Sequence, residues 1–428
     1  MVRWLFPLLL TILTAACSKA PSHVPNSLVN FAHLEHLYQA VTIDSLPAAF
    51  VYIYSEYPDY QPVEAPGEGI ACVDDVARAA VLYLRHYRYT GNPQSLRKAR
   101  HLLRFILHMQ AANGLFYNFI YADHSINQTR ENSRPRADWW SWRAFRALSE
   151  AYPVFRAKDT AFADALQKGM QRVFPHIDSL LALYPRVETP ERFPQPAWLP
   201  VGGAADQAAV LLTGLVNYLN ATADSTVVLP IRRIAEGILM MQVPDTPQSF
   251  SGAFLSYRNH WHAWGNSQAV ALLLAGKALQ DTLLIRRALR EVDGFYAYLV
   301  QKKFFHHIEF SGRIADIKPL KTERFEQIAY DIRPMVFASL QAYEITGDSA
   351  YARLAGEIAG WLLGNNVAGK VMYDRHSGRC YDGILSRERI NKNAGAESTI
   401  EALLTILEVE RHPVARKVML GYLERTEP

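Results

Sequence analysis

Apolar residues recur at helical spacing between Cys72 and Thr90, at Ala77, Ala80, Val81, Leu84 and Tyr87, behind two adjacent carboxylates, Asp74 and Asp75. One apolar face at that period predicts an amphipathic helix. Thr90-Gly91-Asn92-Pro93 ends it, with Gly at the C-terminus and Pro just after. A second amphipathic run, Leu96 to Met109, follows, so the unit is an αα-hairpin. The unit then repeats. Placing Asp75 on Asp331 lays Leu84 on Leu340, Tyr87 on Tyr343 and Thr90-Gly91-Asn92 on Thr346-Gly347-Asp348. Weaker copies start near Asp138, Asp206, Asn266 and Glu397. Six hairpins at an interval of about 65 residues predict a repeat architecture. First helices are expected near residues 74, 140, 205, 266, 331 and 397. Strand-like alternation is confined to fragments such as Phe304 to Phe310, so the fold class is all-α.

The breaks inside hairpins are short, whereas the connections between hairpins run to about 20 to 35 residues, well above the usual helix–helix length. Every long connection precedes a first helix, so in a closed ring the long loops gather on one face. They are rich in aromatics: Leu115 to Phe119, Trp139-Trp140, Trp198, and the run from Tyr257 to Trp264 that holds His260 and His262. Two readings fit. The aromatics pack the loops down, or Trp139, Trp140, His260, His262 and Trp264 line a cleft where sugar rings stack and hydroxyls find hydrogen bonds.

Composition adds limits. Of 428 residues, 50% are hydrophobic and 11% aromatic, enough for a large core. No linker-like stretch interrupts residues 41–428, read as one domain. The net charge of +4, without basic clusters, gives no nucleic-acid footprint. Residues 1–16 carry Arg3 and then an apolar run too short to span a bilayer, and read as an export signal. Cys17 after Ala15-Ala16 resembles a bacterial lipoprotein cleavage site, although Thr14 stands where Leu is usual. Residues 17–40 read as a tether and lead-in, and the location expected is a bacterial membrane surface outside the cytoplasm. Cys72 and Cys380 are expected close together, with a disulfide open to them in that compartment.

No G-x-S-x-G, Walker or Rossmann pattern occurs, so no nucleotide or dinucleotide cofactor is expected. The pairs His260/His262 and His306/His307 lack Cys or acidic partners at ligand spacing, so no transition-metal site is expected, while calcium on loop carboxylates stays open.

The segment Cys72-Val73-Asp74-Asp75-Val76-Ala77-Arg78-Ala79 resembles the T-D-D-x-A-R-A motif of bacterial proteins of the six-hairpin glycosidase type. Glu131-Asn132-Ser133 with Trp142-Arg143-Ala144 is similar to their second segment, and Asn393 to Leu404 to their closing one. The resemblance implies an (α/α)6 toroid acting on carbohydrate; Cys72 stands where Thr is commoner. Glycoside hydrolysis needs an acid for the leaving oxygen and a carboxylate to activate water or attack carbon. In a closed ring the first and sixth hairpins are neighbours, so Asp74 and Asp75 would face Glu397. The roles expected are Glu397 as general acid and Asp75 or Asp74 as base, as in the inverting cellulase-like toroids this pattern resembles. Glu131, Arg143, Asp331 and Asp382 are candidate sugar contacts, each with a helix-cap or ion-pair alternative. Two other readings stay open: a polysaccharide lyase using Tyr257, Asn259, His260 and His262, and a non-catalytic glycan-binding lipoprotein.

Overall fold

The computed structural model describes residues 27–245 and 249–426. The export signal, Cys17 and the first part of the tether lie outside the described residues. Twelve helices form six antiparallel hairpins: α1 (Val73–Thr90) with α2 (Pro93–His108), α3 (Trp139–Arg156) with α4 (Thr160–Gln171), and α5 (Ala205–Thr222) with α6 (Val228–Met240). The second half comprises α7 (Gln268–Leu279) with α8 (Thr282–Arg290), α9 (Ala329–Thr346) with α10 (Ser349–Ala359), and α11 (Ala396–Glu410) with α12 (Pro413–Thr426). Each odd-numbered helix packs on the next odd one, and α11 packs on α1, which closes the ring. The chain is an (α/α)6 toroid.

The sequence explains which helices lie inside. Helix α2 buries one face, at Ser95, Ala99, Leu102, Leu103, Phe105 and Ile106, as an outer helix should. Helix α5 is buried at every position from Ala205 to Val216, which an inner helix between two neighbours and an outer partner requires. The hairpin signature is realised in both strong copies. Gly91 ends α1 in the left-handed region at φ 72°, and Gly347 ends α9 at φ 74°. Asn92 and Asp348 then cap the following helices through their side-chain oxygens.

The long connections are more ordered than an all-α reading anticipates. They fold into short antiparallel ribbons, one three-stranded: His260–His262, His307–Ser311 and Lys318–Glu323. These ribbons satisfy backbone groups in loops that press on the ring. Buried aromatics pin them, among them Phe116, Trp198 and Trp261. The loop-packing reading therefore holds for these three.

The packed unit also begins upstream of the expected boundary at residue 41. Leu28, Leu34 and Leu37 enter the core, and the Leu28 amide donates to Glu410 at 2.6 Å. Tyr373 Oη donates to the Leu28 carbonyl at 2.8 Å, Tyr83 Oη to Glu35 at 2.8 Å, and the His33 ring meets the Ala394 carbonyl at 2.7 Å. The N-terminal segment is thus a clasp across the joint of the first and last hairpins. Its apolar residues were too few for a periodic signal.

Candidate active site at the joint of the ring

Cys72 has extended backbone and caps α1, its sulfur accepting from the Asp75 amide at 3.4 Å and donating to the Asp75 carboxylate at 3.3 Å. The thiol thus takes the capping contact that Thr would make. Burial pushes its pKa well up, and neither Cys72 nor Cys380 is disulfide-bonded. The disulfide that the compartment left open to this pair is not formed.

The first turn of α1 points its two aspartates to different fates. Asp75 is 3% exposed and bonded to Arg78 at 2.7 Å. Burial raises its pKa, opposed by Arg78 and reinforced by Glu397 and Asp74. Asp74 is more open, at 19% of its side chain, and accepts from Arg143 at 2.5 Å. Across the joint, Glu397 in the first turn of α11 keeps 39% of its side chain exposed and receives the second arm of Arg78 at 2.6 Å. Asp75 and Glu397 are thus held on the two ends of one guanidinium, beside the more open Asp74. Arg78 also reaches Glu401 at 3.1 Å and covers the Tyr330 ring at 4.8 Å.

Asp74, Asp75, Glu397 and Asp382 line one cavity of about 290 Å³. Asp382 holds the loop before α11, accepting from the Gly395 amide at 2.8 Å and from Ser398 Oγ at 2.7 Å. Its pKa is raised by burial against those two bonds. Glu68 and Tyr54 also line this cavity and bond to each other at 3.2 Å. Sequence reasoning missed both, because neither stands in a helix or a repeated motif.

Behind Asp74, through Arg143, lies an aromatic cluster. Arg143 donates to Tyr330 Oη at 2.9 Å and lies 4.7 Å from the Trp139 ring centre. Trp139 and Trp264 sit 6.0 Å apart, and His262 stacks on Trp264 at 3.6 Å. Gly265 makes this approach possible: a Cβ there would stand 3.2 Å from both Trp139 and Tyr330, at φ 71°. The His262 ring is fixed between Asp206 at 2.9 Å and the Trp264 carbonyl at 2.7 Å. Tyr330 was also missed, although the repeat alignment lays it on Asp74.

Other expected contacts fall elsewhere. Glu131 stands exposed on the surface, paired with Arg134 and Arg136, and does not line the cavity. Asp331 is fully buried and accepts from the Ile328 amide at 2.9 Å as the cap of α9; burial raises its pKa well above the usual range. Trp140 is buried, its indole N–H on the Phe116 carbonyl at 2.6 Å. His260 stacks with His307, which meets Glu323 at 3.2 Å, on the three-stranded ribbon. Asn259 is buried and serves the Phe310 carbonyl. Solvent access, which decides all of these, is a property of the closed ring.

No protein-family model matches the chain, and no curated protein matches it in sequence. Its fold, however, is that of solved six-hairpin toroids. A cellobiose 2-epimerase from Spirochaeta thermophila aligns at a TM-score of 0.60 and 11% identity, over 91% of this chain and 95% of that one. A D-mannose isomerase gives 0.59 and 11%, over 89% and 95%. The GH family 9 endoglucanase J30 gives 0.51 and 13%, over 88% and 78%. At these identities the likeness is one of fold.

Proposed function

We propose that the chain acts on carbohydrate and hydrolyses a glycosidic bond at the joint of the ring, with Glu397 as general acid and Asp74 as general base. The observation that carries this reading is the convergence of Asp74, Asp75 and Glu397 on one open cavity, from opposite ends of the sequence. Asp74 is the aspartate a water can reach, and Arg143 holds its carboxylate in place at 2.5 Å. Arg78 divides one charge among Asp75, Glu397 and Glu401, and burial together with the nearby Glu397 and Asp74 raises the Asp75 pKa. Trp139 and Trp264, both partly exposed, offer sugar-stacking faces near Arg143, the partner of Asp74. The endoglucanase fold likeness is consistent with this chemistry.

A second reading has its own support. The His262–Asp206 pair beside Trp264 is a held imidazole suited to moving a proton at a sugar carbon, and the sugar epimerase and isomerase share this fold. Residues 1–17 support export and a lipid anchor at Cys17, which fatty-acid labelling lost in Cys17→Ser would check.

Incubation with neutral and uronate-containing oligosaccharides, cellobiose and mannose in D2O separates the possibilities. New reducing ends report hydrolysis, deuterium gained at C2 reports epimerisation or isomerisation, an unsaturated uronate reports a lyase, and affinity without products reports a binder. For the hydrolase, Glu397→Gln should keep binding and cut turnover roughly 10²–10⁴-fold. Turnover that survives Glu397→Gln removes the assignment.

A further inference from the structure

The bore of the ring holds a second cavity, of about 240 Å³, built from residues farther along the inner helices than the catalytic turn. Arg85 and Arg88 of α1, Arg146 of α3 and Arg333 of α9 enter it, against one lining carboxylate, Glu150. Three of the four arginines are matched. Arg85 bonds Glu150 at 2.8 Å and Glu408 at 3.2 Å, Arg88 reaches Glu150 at 3.4 Å, and Arg333 is paired with Glu401. Arg146 has no hydrogen-bond or ion-pair partner for its side chain among the described residues, and its Nε is enclosed without an acceptor. Ser267, 3% exposed, lines the same cavity with its Oγ also unpartnered. Asn217 and Asn220 complete the wall, Asn220 being exposed at the mouth.

A guanidinium whose Nε is enclosed without an acceptor, and whose one lining carboxylate, Glu150, is already bonded to Arg85 and Arg88, is an unfavourable arrangement that an anion would relieve. Burial and the neighbouring Arg333 lower the Arg146 pKa to about 10, with Glu150 offsetting them in part. Hydroxyl and amide donors around an unpaired arginine form the donor set that oxyanions select.

We propose that this cavity binds a small tetrahedral oxyanion of the phosphate or sulfate class, held by Arg146, Ser267 and the asparagine donors. Inner-helix C-termini carry partial negative charge, so the arginines, not helix dipoles, supply the attraction. The site is distinct from the carboxylate cleft: a small cavity of about 20 Å³ shares Arg146 and Arg333 with the one and Arg78 with the other, with Tyr330 and Arg143 in its wall.

Titration calorimetry and thermal melts of the full chain with sodium phosphate and sodium sulfate, against sodium chloride at equal ionic strength, test this. Saturable binding with a raised Tm is expected for phosphate or sulfate beyond the chloride control. Arg146→Gln should weaken that binding by about 10- to 100-fold, the worth of a charge-assisted hydrogen bond. The same variant should melt no lower than wild type in anion-free buffer, because Glu150 keeps Arg85 and Arg88 and an enclosed N–H without an acceptor is removed. Asn220→Asp, at the exposed mouth, should weaken binding through repulsion with the fold intact. A phosphate and sulfate response no greater than chloride's, or one unchanged in both variants, overturns the proposal.

Discussion

Arg78→Met is the most informative single change, because one guanidinium serves three carboxylates. In the native protein it lies 2.7 Å from Asp75, 2.6 Å from Glu397 and 3.1 Å from Glu401, of which Asp75 and Glu401 are 3% and 0% exposed. Methionine keeps the apolar stem and its packing but leaves Asp75 without the cation it faces. Breaking a buried pair on one side costs about 3–5 kcal/mol, far more than a surface bridge. Arg333 still covers Glu401, so the lower half of that range is expected. The loss must depend on pH. Without Arg78, burial drives the folded pKa of Asp75 further above its unfolded value, and a raised carboxylate takes up a proton in the folded state as pH falls. The stability deficit should therefore be largest near pH 8 and shrink towards pH 5, by about 1.4 kcal/mol for each pH unit over which the folded protein binds one extra proton. Urea unfolding at both pH values, followed by tryptophan fluorescence and far-UV circular dichroism together, measures it. Arg78→Lys separates charge from geometry: it should recover part of the stability without the two-armed hold on Glu397. A deficit below about 1 kcal/mol, or one equal at pH 5 and pH 8, would refute the reasoning.

Three further outcomes are expected. Burial pushes the Glu291 pKa up to about 8, so native stability should fall as pH rises from the unfolded carboxylate value through the folded one; Glu291→Gln should gain on wild type in Tm between about pH 5 and pH 8, and a constant difference would count against it. At Gly395 an added Cβ would stand 2.7 Å from the Ile53 carbonyl, so Gly395→Ala should shift the start of α11 and depress turnover far more than Tm. Asp331 is sealed from solvent and burial raises its pKa, so Asp331→Asn, which keeps an oxygen for the Ile328 amide, should change Tm little while Asp331→Ala loses that cap and costs about 1 kcal/mol.

The ring was legible because its unit is repeated: inner helices begin at residues 73, 139, 205, 268, 329 and 396, within two or three residues of expectation. Capping chemistry and a 3.6-residue period are local, and local rules survive the passage to the fold. Among the ribbons, the strand His307–Ser311 left a trace in the alternation of Phe304 to Phe310, whereas strands of two residues, as at Ala71–Cys72, carry none. Site assignment divides along the same line. The repeat lays Asp331 on Asp75 and Tyr330 on Asp74, and each pair does occupy equivalent turns of inner helices. Whether such a residue meets solvent depends on what the distant loops leave open. Asp382 and Asp331 look alike as loop-to-helix acids, yet one lines the cleft and the other is sealed beneath it.

The joint has a consequence for the order of events during synthesis. Five hairpins, with Asp74, Asp75, Arg78 and Arg143 already in place, leave the ribosome before Glu397 is translated. A nascent or prematurely terminated chain therefore carries only the α1 side of the cleft, with Arg78 lacking the partner that α11 brings and the N-terminal clasp lacking Ala394 and Glu410 to hold. On the proposed assignment of Glu397 and Asp74, incomplete products would be silent towards substrate however well their earlier hairpins have folded.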